Sequence, residues 1–198
     1  MRVVAGRLKG RRLVAPPARA GARDTPDGAD IRPTSDKARQ AVFNIIAHGS
    51  LFDRPLEGAV VVDLFAGTGA LGIEALSRGA VRCIFVENNR TALAALDINL
   101  KTCGLSAAET RVVRSDAAKL PAATERADLV FLDPPYGEAL GAPALEALST
   151  RGWLNHGALI VLELGRHDEF ASPAGFTPLD ERRYGAARIV FLRFETKK

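Results

Sequence analysis

The sequence predicts an α/β protein whose central sheet is doubly wound and mostly parallel, with helices on both faces. Short apolar runs alternate with stretches of helical periodicity, a glycine-rich turn joins one run to a helix, and acidic residues follow the ends of several runs. With 198 residues, 47% of them hydrophobic, the chain can bury one sizeable core. Because ligands bind at the carboxyl ends of strands in open α/β sheets, the acidic residues are the first candidates for a functional site.

The first predicted strand leads into a glycine turn. Residues 59–65 form an apolar run, residues 66–72 carry three glycines, and a helix is predicted over 73–77. Glycines allow a tight turn and a close approach of the backbone to a ligand, and the helix behind them offers unpaired N–H groups. We therefore expect this turn to contact a ligand.

The spacing of Gly67, Gly69 and Gly72 also matches the dinucleotide fingerprint, so a nicotinamide or flavin enzyme stays open as an alternative. Asp63 favours another ligand, because its carboxylate would lie where two anionic phosphates would have to bind. A cationic ligand suits it better; alternatively, Asp63 only accepts a hydrogen bond from the turn. A phosphate-binding P-loop is excluded, since no Gly-Lys-Ser/Thr follows the glycines.

Acidic residues also follow the second and third predicted strands. Residues 81–86 end in Glu87, 24 positions after Asp63, where an acidic side chain can bind ribose hydroxyls. Residues 110–114 are followed closely by Asp116, which either contacts a ligand or caps the turn that comes next. The carboxyl edge of the sheet is therefore expected to collect several carboxylates.

The motif Asp133-Pro134-Pro135-Tyr136 follows the apolar run 129–132 and is the most informative feature of the chain. The lone pair of an exocyclic amine on a nucleobase is delocalised into the ring, so the amine attacks poorly unless acceptors hold its N–H bonds. Asp133 and the Pro134 carbonyl can be those acceptors, and Tyr136 can stack on the base. Two prolines also stiffen the loop. The alternative is an ordinary Pro-Pro turn that Asp133 caps.

The remaining predicted elements complete the alternation. A helix capped by Thr34 or Ser35 is expected to run to His48, and further helices are expected over 91–100 and 140–149. The last three strands are predicted at 158–164, 176–179 and 188–194, the final two as an antiparallel pair.

Basic residues concentrate at the start of the chain. Residues 1–39 hold ten Lys or Arg and four acidic residues, a net charge of +6, while the rest carries −2 of the total of +4. Such an extension is typical of a protein that binds a polyanion, or else it is a solubilising tail. Short strands at 2–4 and 12–14 predict a hairpin with a basic tip, followed by a linker. Residues 1–31 would then precede a main domain over 32–198.

Several classes of site are disfavoured. No run of about 18 apolar residues occurs, and the first residues are not a signal region, so we expect a soluble, cytoplasmic protein. Cys83 in an apolar strand and Cys103 after a helix predict a buried thiol and a loop thiol rather than a disulfide. His48, His156 and His167 are isolated, so no metal site is expected.

Four blocks of the sequence carry a resemblance to a known family. They are the start of the chain at 2–11, the block 32–45, the glycine turn within 63–72 and the motif 133–136. Together they resemble the bacterial family of 16S ribosomal RNA guanine-N2 methyltransferases, the RsmD family. The glycine turn and the 133–136 motif are shared by many amino-methyltransferases, whereas the first two blocks are specific to this family.

The resemblance implies a class I S-adenosylmethionine-dependent methyltransferase with a Rossmann-like fold. Its substrate would be the N2 amine of one guanine in small-subunit ribosomal RNA, within an assembling 30S subunit, and the enzyme would be a monomer. The implied catalytic residues are Asp133, Pro134, Pro135 and Tyr136. The implied cofactor-binding residues are Asp63 (for the ammonium), Phe65, Ala66, Gly67, Thr68, Gly69, Glu87 (for the ribose), Asn88, Asp116 (for the adenine) and Ala117. The implied RNA-binding residues are Arg2, Arg7, Lys9, Arg11, Arg12, Arg32, Lys37 and Arg39.

Two further functions stay open beside the nicotinamide enzyme. A DNA adenine-N6 methyltransferase shares the 133–136 motif, although the chain has no evident domain for recognising a DNA sequence. A non-catalytic RNA-binding assembly factor shares the basic N-terminus, but such a factor would not require the motif. The choice of guanine as the target base comes from the resemblance alone.

Overall fold

The computed structural model describes residues 1–15, 36–135 and 137–196. In chain order, the helices and strands of these ranges are α1 (Asp36–His48), β1 (Val60–Leu64), α2 (Ala70–Ser77), β2 (Arg82–Val86), α3 (Arg90–Thr102), β3 (Thr110–Val113), a 3₁₀ helix (Ala117–Lys119), β4 (Ala127–Leu132), α4 (Gly141–Thr150), β5 (Leu154–Gly165), β6 (Phe176–Tyr184) and β7 (Ala187–Phe194). Four sets of predictions lie outside the described residues: the linker beyond residue 15, the caps Thr34 and Ser35, Arg32, and Tyr136.

All the strands of the described residues form one sheet in the order β3-β2-β1-β4-β5-β7-β6. The first five pair in parallel, with Asp63 level with Phe85 on one side and Phe131 on the other. β7 is antiparallel to both β5 and β6. The predicted α/β fold with a C-terminal antiparallel pair is therefore confirmed. The chain reverses its direction across the sheet between β1 and β4, where ligands of such sheets bind.

Each face of the sheet is covered by its own hydrophobic core. Side chains alternate between the faces along a strand, so Val61 and Leu129 face α1, α2 and α3, while Val62 and Val130 face α4 and the 3₁₀ helix. Strands buried on both faces read as continuous apolar runs in a sequence. This burial explains why β1, β2 and β4 are predicted close to their true ends.

The largest errors in the predicted boundaries concern β6. Its strand pattern was expected to stop at residue 179, but the strand runs to Tyr184. The missed half has charged and largely exposed side chains between Asp180 and Arg183, as is usual for a strand at the edge of a sheet. Because these residues pack against little apolar surface, no alternation of polar and apolar residues marks the strand.

The N-terminal segment forms the expected hairpin and packs it on the helices. Its two short strands are reduced to one antiparallel bridge between Arg2 and Arg12, with backbone hydrogen bonds from Val3 N to Arg11 O (2.9 Å) and from Leu13 N to Met1 O (3.0 Å) on either side. Val3, Leu8 and Leu13 are buried in the same core as α1, α2 and α3. The described part of the segment therefore shares the core of the main sheet, and the predicted domain boundary stays a prediction.

One buried carboxylate holds this segment in place. Glu74 of α2 accepts hydrogen bonds from the backbone N–H groups of Val4 (2.7 Å) and Ala5 (3.0 Å). It also accepts one from Arg78 Nε at 2.7 Å, and Arg39 Nε of α1 lies 3.8 Å away. The Glu74 side chain has no exposed surface. A single side chain therefore ties the N-terminal segment, α1 and α2 together.

Gly6 allows the segment to lie directly on the end of α2. The N–H of Arg7 donates to the carbonyl oxygen of Ser77 at 2.8 Å, and the N–H of Leu8 donates to Ser77 Oγ at 2.9 Å. Gly6 has a φ of 76°, and a Cβ added there would lie 1.8 Å from the Ser77 carbonyl oxygen. Only glycine fits this close approach.

Among the described helices, none is long and apolar enough to cross a membrane. Cys83 and Cys103 are both free thiols, as predicted. Cys103 lies in the turn after α3, as predicted, and its side chain is buried in the first core. A thiol in this position behaves as a small apolar side chain.

Candidate functional site

The residues predicted to bind ligands lie together at the carboxyl edge of the parallel strands. From β3 to β4, the edge carries Asp116, Glu87, the turn at 65–69 and Asp133 in that spatial order. Three backbone hydrogen bonds join neighbouring strand ends: Glu87 N to Val113 O (3.1 Å), Ala66 N to Val86 O (3.0 Å) and Asp133 N to Leu64 O (3.4 Å).

The turn after β1 is built from left-handed backbone conformations. Phe65 has a φ of 61°, Gly67 of 55° and Gly69 of 77°. A Cβ on Gly69 would lie 2.4 Å from Leu96 Cδ1, so this glycine permits close packing on α3. Among the described residues, a Cβ on Gly67 would meet only the Phe65 carbonyl oxygen, at 3.9 Å, so the described part of the site leaves the space beside Gly67 open. The turn therefore presents its backbone to a ligand at Gly67.

Asp63 lies beneath this turn and is 2% exposed. Its Oδ2 atom accepts a hydrogen bond from the N–H of Gly72 at 2.9 Å, as the alternative interpretation of the sequence expects. Burial raises the pKa of Asp63 to about 7; the Gly72 hydrogen bond opposes this rise and the negative charge of Glu87 adds to it. A cation bound above Asp63 would stabilise its charged form. The role of Asp63 in binding a ligand stays a prediction.

Asp63→Asn is expected to flatten the pH dependence of stability. The folded protein holds the Asp63 proton up to about pH 7, whereas the unfolded chain releases it near the ordinary pKa of 3.8. The unfolding free energy of the wild type should therefore fall as the pH rises from about 4 to about 7, by on the order of 4 kcal/mol. Asparagine does not titrate and can still accept the Gly72 hydrogen bond.

Urea unfolding of both proteins at several pH values between 4 and 8 measures this effect. A suitable control is Asp97→Asn, since Asp97 is 62% exposed and pairs only with Lys101 one helical turn away among the described residues. The Asp97 variant should keep the wild-type slope. Parallel curves for Asp63→Asn and the wild type would show that Asp63 does not titrate in this range.

Glu87 connects the end of β2 to the glycine turn. Its Oε2 atom accepts a hydrogen bond from the N–H of Gly67 at 2.8 Å. Its Oε1 atom accepts from the N–H groups of Asn88 and Asn89, each at 2.8 Å. The half-buried carboxylate thus fixes the turn relative to β2, with Asn88 exposed beside it. Binding of a ribose by Glu87 stays a prediction.

Asp116 caps the 3₁₀ helix that follows β3. Its Oδ1 atom accepts a hydrogen bond from the N–H of Ala118 at 2.9 Å. Ala117, between these two residues in the sequence, is buried. Asp116 therefore has the capping role that the sequence analysis gives as one of its two alternatives. It does not exclude contact with a ligand, because a carboxylate has two oxygens and about four acceptor positions.

Asp133 follows β4 directly and is half-buried, while Pro134 behind it is buried and Pro135 is exposed. Burial raises the pKa of Asp133 well above its ordinary value, and the negative charges of Glu163 and Asp63 raise it further. The motif therefore positions a carboxyl group with a strongly raised pKa at the point where the order of the sheet reverses. Groups of this kind concentrate in functional sites.

Glu163 of β5 is a site residue that the sequence reasoning missed. Its side chain is 6% exposed, and its charge acts on Asp133. A signal was present, since Glu163 stands inside the apolar run 158–164 that predicts a buried strand. Glutamate is almost never fully buried without a partner or a role.

Asn99 of α3 was missed as well. It is 1% exposed and its Nδ2 atom donates to the carbonyl oxygen of Thr68 in the glycine turn at 2.9 Å. The same amide exchanges two hydrogen bonds with the backbone of Val14, at 2.8 and 3.1 Å. Asn99 thus joins the glycine turn to the end of the N-terminal segment. The signal was a polar residue next to the apolar stripe that ends at Leu100.

Most of the described basic residues predicted to bind RNA are exposed: Arg2, Arg7, Lys9, Arg11, Arg12 and Lys37. Arg39 is a correction. Its side chain is 1% exposed, lies close to Glu74 and donates a hydrogen bond to the carbonyl oxygen of Arg2. A guanidinium group enclosed in this way cannot reach a phosphate, so Arg39 has a structural role.

The tip of the N-terminal segment lies far from the carboxyl edge. Arg7 pairs with Glu109, which precedes β3, and binds the backbone of Ser77, which ends α2. Both partners stand at the amino edge of the sheet. A strand of five residues spans about 17 Å, so a polyanion that contacts both regions has to cross the helices of this face.

Comparisons with known proteins agree with this architecture. The sequence model of the family described as Conserved hypothetical protein 95 matches residues 1–193. The chain is 31% identical over 188 residues to Ribosomal RNA small subunit methyltransferase D of Haemophilus influenzae, covering 93% of this chain and 89% of that one. The protein of the same name from Escherichia coli K12 is 35% identical over 164 residues, covering 82% and 74%. The solved structure of yhhF from Escherichia coli superposes with a TM-score of 0.78 at 30% identity, covering 100% and 99%.

Proposed function

Because the chain belongs to the Conserved hypothetical protein 95 family, the RsmD family, we propose that it is a ribosomal RNA methyltransferase that uses S-adenosylmethionine and methylates the N2 amine of a guanine in 16S ribosomal RNA. The names of the two relatives support ribosomal RNA of the small subunit as the substrate. Methyl transfer to an amine is supported mainly by the position of the Asp133 carboxyl group. It lies where the strand order of the sheet reverses, beside the open glycine turn.

The carboxyl edge suits S-adenosylmethionine, which carries an ammonium and a sulfonium group. Burial leaves Asp63 with a pKa of about 7, so a cation bound nearby would favour its charged form. In the proposal, Gly67 approaches the methionine end, Asp63 holds the ammonium, Glu87 the ribose and Asp116 the adenine. The proposed lining is completed by Phe65, Ala66, Thr68, Gly69, Asn88 and Ala117. Bound there, S-adenosylmethionine supplies a methyl group on a positively charged sulfur, for in-line displacement by an amine.

Asp133 orients the attacking amine and then removes a proton. Its carboxylate accepts one N–H bond of the amine and the Pro134 carbonyl accepts the other, so the nitrogen lone pair points at the methyl carbon. As the N–C bond forms, the C–S bond breaks and its electron pair stays on sulfur. The methylated nitrogen is then strongly acidic, and Asp133 or water takes its proton. Stacking of the extruded base on Tyr136, and a shaping role for Pro135, belong to the same proposal.

The exposed basic residues of the N-terminal segment are the proposed contacts to RNA phosphates. These residues belong to a segment whose backbone N–H groups donate hydrogen bonds to the side chains of Glu74 and Ser77. Among them Arg7 also pairs with Glu109, so part of its role is to fix the segment. The RNA would run along the helices of this face and deliver its guanine to the carboxyl edge.

Replacing Lys9, Arg11 and Arg12 together by Ala is expected to weaken the binding of small-subunit RNA and to reduce its salt dependence. Each lost phosphate contact lowers the slope of log K against log salt by about 0.7 to 0.9, so the triple variant should lose about 2 to 3. The methylation rate at saturating RNA should not change. Filter binding at several salt concentrations measures the slope.

A control of equal charge is available away from the N-terminal segment. Lys119 ends the 3₁₀ helix, Arg126 precedes β4 and Arg151 follows α4, and all three are exposed. Their replacement by Ala should leave the salt slope close to the wild-type value. If the two triple variants lose the same slope, the N-terminal segment acts through net charge alone.

A competition assay separates the proposal from a DNA methyltransferase and from a non-catalytic assembly factor. The enzyme is incubated with methyl-labelled S-adenosylmethionine, 30S subunits whose RNA lacks methylated bases, and an excess of unmethylated DNA. We expect label in the RNA alone. Label in the DNA would favour the adenine-N6 activity, and no label in either polymer would favour an assembly factor.

We further propose that the enzyme acts as a monomer in the cytoplasm on an assembling 30S subunit. The basic N-terminal segment and the carboxyl edge belong to the same chain, so one copy contains every residue that the proposed reaction requires. Methylation assays with naked 16S RNA and with 30S particles test the substrate, and light scattering of the free enzyme tests the oligomeric state.

A further inference from the structure

Three carboxyl side chains lie on one face of the sheet at its carboxyl edge: Asp63, Asp133 and Glu163. Side chains alternate between the two faces along a strand. The residues two positions earlier all belong to the first core: Val61, Phe131 and Val161. The three acidic residues therefore continue the same face, just beyond the apolar core.

Asp133 and Glu163 are neighbours across two parallel strands. Leu132, the last residue of β4, is level with Leu162 of β5, so the residue that follows each of them in the chain is acidic. Paired backbones are about 5 Å apart, which brings both carboxyl groups within reach of one small ring. The charge of Glu163 contributes to the raised pKa of Asp133. Asp133 is half-buried and Glu163 is 6% exposed, so Glu163 forms the deeper part of the site.

The polar edge of guanine matches two adjacent acceptors. Its N2 amine and its N1–H are neighbouring donors, whereas adenine presents an amine donor beside an N1 lone pair. We propose that Glu163 accepts a hydrogen bond from N1–H of the target guanine while Asp133 holds the amine, so that Glu163 selects guanine against bases whose N1 has no proton. This inference rests on the proposed function and names the residue that determines its base specificity.

The base analogue 2-aminopurine tests this role, because it keeps the N2 amine but has a lone pair at N1. A synthetic RNA strand carrying either guanine or 2-aminopurine at the methylated position is ligated into 16S RNA and assembled into the particle. Sites that bind a substrate N–H discriminate strongly against analogues that lack it. We expect the wild type to prefer guanine by about 10³-fold in kcat/KM.

Glu163→Gln is expected to reduce this preference to about tenfold or less. The glutamine amide can turn either its oxygen toward N1–H of guanine or its NH₂ group toward the N1 lone pair of 2-aminopurine. The preference is a ratio measured with one enzyme preparation, so a loss of folded protein does not change it. Glu169→Gln is the matched control, because Glu169 is exposed in the loop after β5. It should keep the wild-type ratio.

Two results would overturn the inference. An unchanged ratio with unchanged kcat/KM values in Glu163→Gln would mean that Asp133 alone binds both donors of guanine. An unchanged ratio with kcat/KM lowered equally for both bases would mean that Glu163 only positions Asp133. Both results leave guanine methylation by the wild type intact. The proposed function fails separately, if the wild type does not methylate the guanine particle at all.

Discussion

Asp133→Ala is expected to reduce kcat by about 10²-fold to 10⁴-fold while the affinity for S-adenosylmethionine stays within about tenfold of the wild type. The carboxylate holds the amine and takes its proton, so its contacts are strongest in the transition state. The glycine turn, Asp63, Glu87 and Asp116, which form the proposed cofactor site, are left unchanged. Single-turnover methyl transfer and equilibrium binding of labelled S-adenosylmethionine measure the two quantities separately.

The pH profile gives this prediction a second readout. Because the pKa of Asp133 is raised, its carboxylate forms only as the pH rises toward that pKa. The wild-type kcat should therefore increase with pH, about tenfold per unit below the pKa, and then become constant. Asp133→Asn should lose this dependence, since its amide does not titrate.

The control for Asp133 is Asp53→Ala, because Asp53 is 66% exposed and pairs with Arg193 away from the carboxyl edge. Its kcat should match the wild type. If Asp133→Ala loses cofactor affinity in proportion to kcat, Asp133 belongs to the cofactor site rather than to the amine site.

Glu74→Ala is expected to lower the unfolding free energy by about 3 to 5 kcal/mol. Its carboxylate compensates the buried guanidinium of Arg39 and accepts two backbone N–H groups of the N-terminal segment. Removing it takes a close acceptor from the buried Arg39 and from Arg78 and leaves two backbone donors unsatisfied, which is more costly than losing a surface ion pair. Urea denaturation measures the loss, and faster trypsin cleavage at Arg7 and Lys9 should accompany it.

Two further variants serve as comparisons for Glu74→Ala, one conservative and one at an exposed position. Glu74→Gln keeps the shape and can accept one or two of the hydrogen bonds, so it should lose less stability than Glu74→Ala. Glu146→Ala removes an exposed glutamate of α4 and should change the unfolding free energy by about 0.5 kcal/mol or less. A loss equally small for Glu74→Ala would mean that the N-terminal segment is held by its apolar contacts alone.

The strands and the carboxyl edge could be predicted from the sequence because their signals are local. A strand buried on both faces is a continuous apolar run, and a carboxylate directly after such a run marks the edge where ligands bind. The runs before Glu87 and Asp133 show both signals within a few residues of one another. The charged half of β6 has no such signal and was missed.

The contacts that depend on distant parts of the chain could not be predicted. Glu74 binds Val4 and Ala5 across 70 and 69 positions, and nothing near Glu74 in the sequence indicates those partners. For the same reason Arg39 resembled the other basic residues of its segment, although α1 turns it into the protein. Asn99 and Glu163 were visible only as polar residues in apolar patterns.

The measurement that tests the central claim most directly is the identity of the methylated nucleoside. The enzyme is supplied with methyl-labelled S-adenosylmethionine and 30S subunits lacking base methylation, and the RNA is digested to nucleosides and separated. The proposed amine site predicts that the label appears in N2-methylguanosine, and that Asp133→Ala yields at most about one hundredth as much. Label in N6-methyladenosine would contradict the assignment of guanine, and an equal yield from the Asp133 variant would contradict the proposed site.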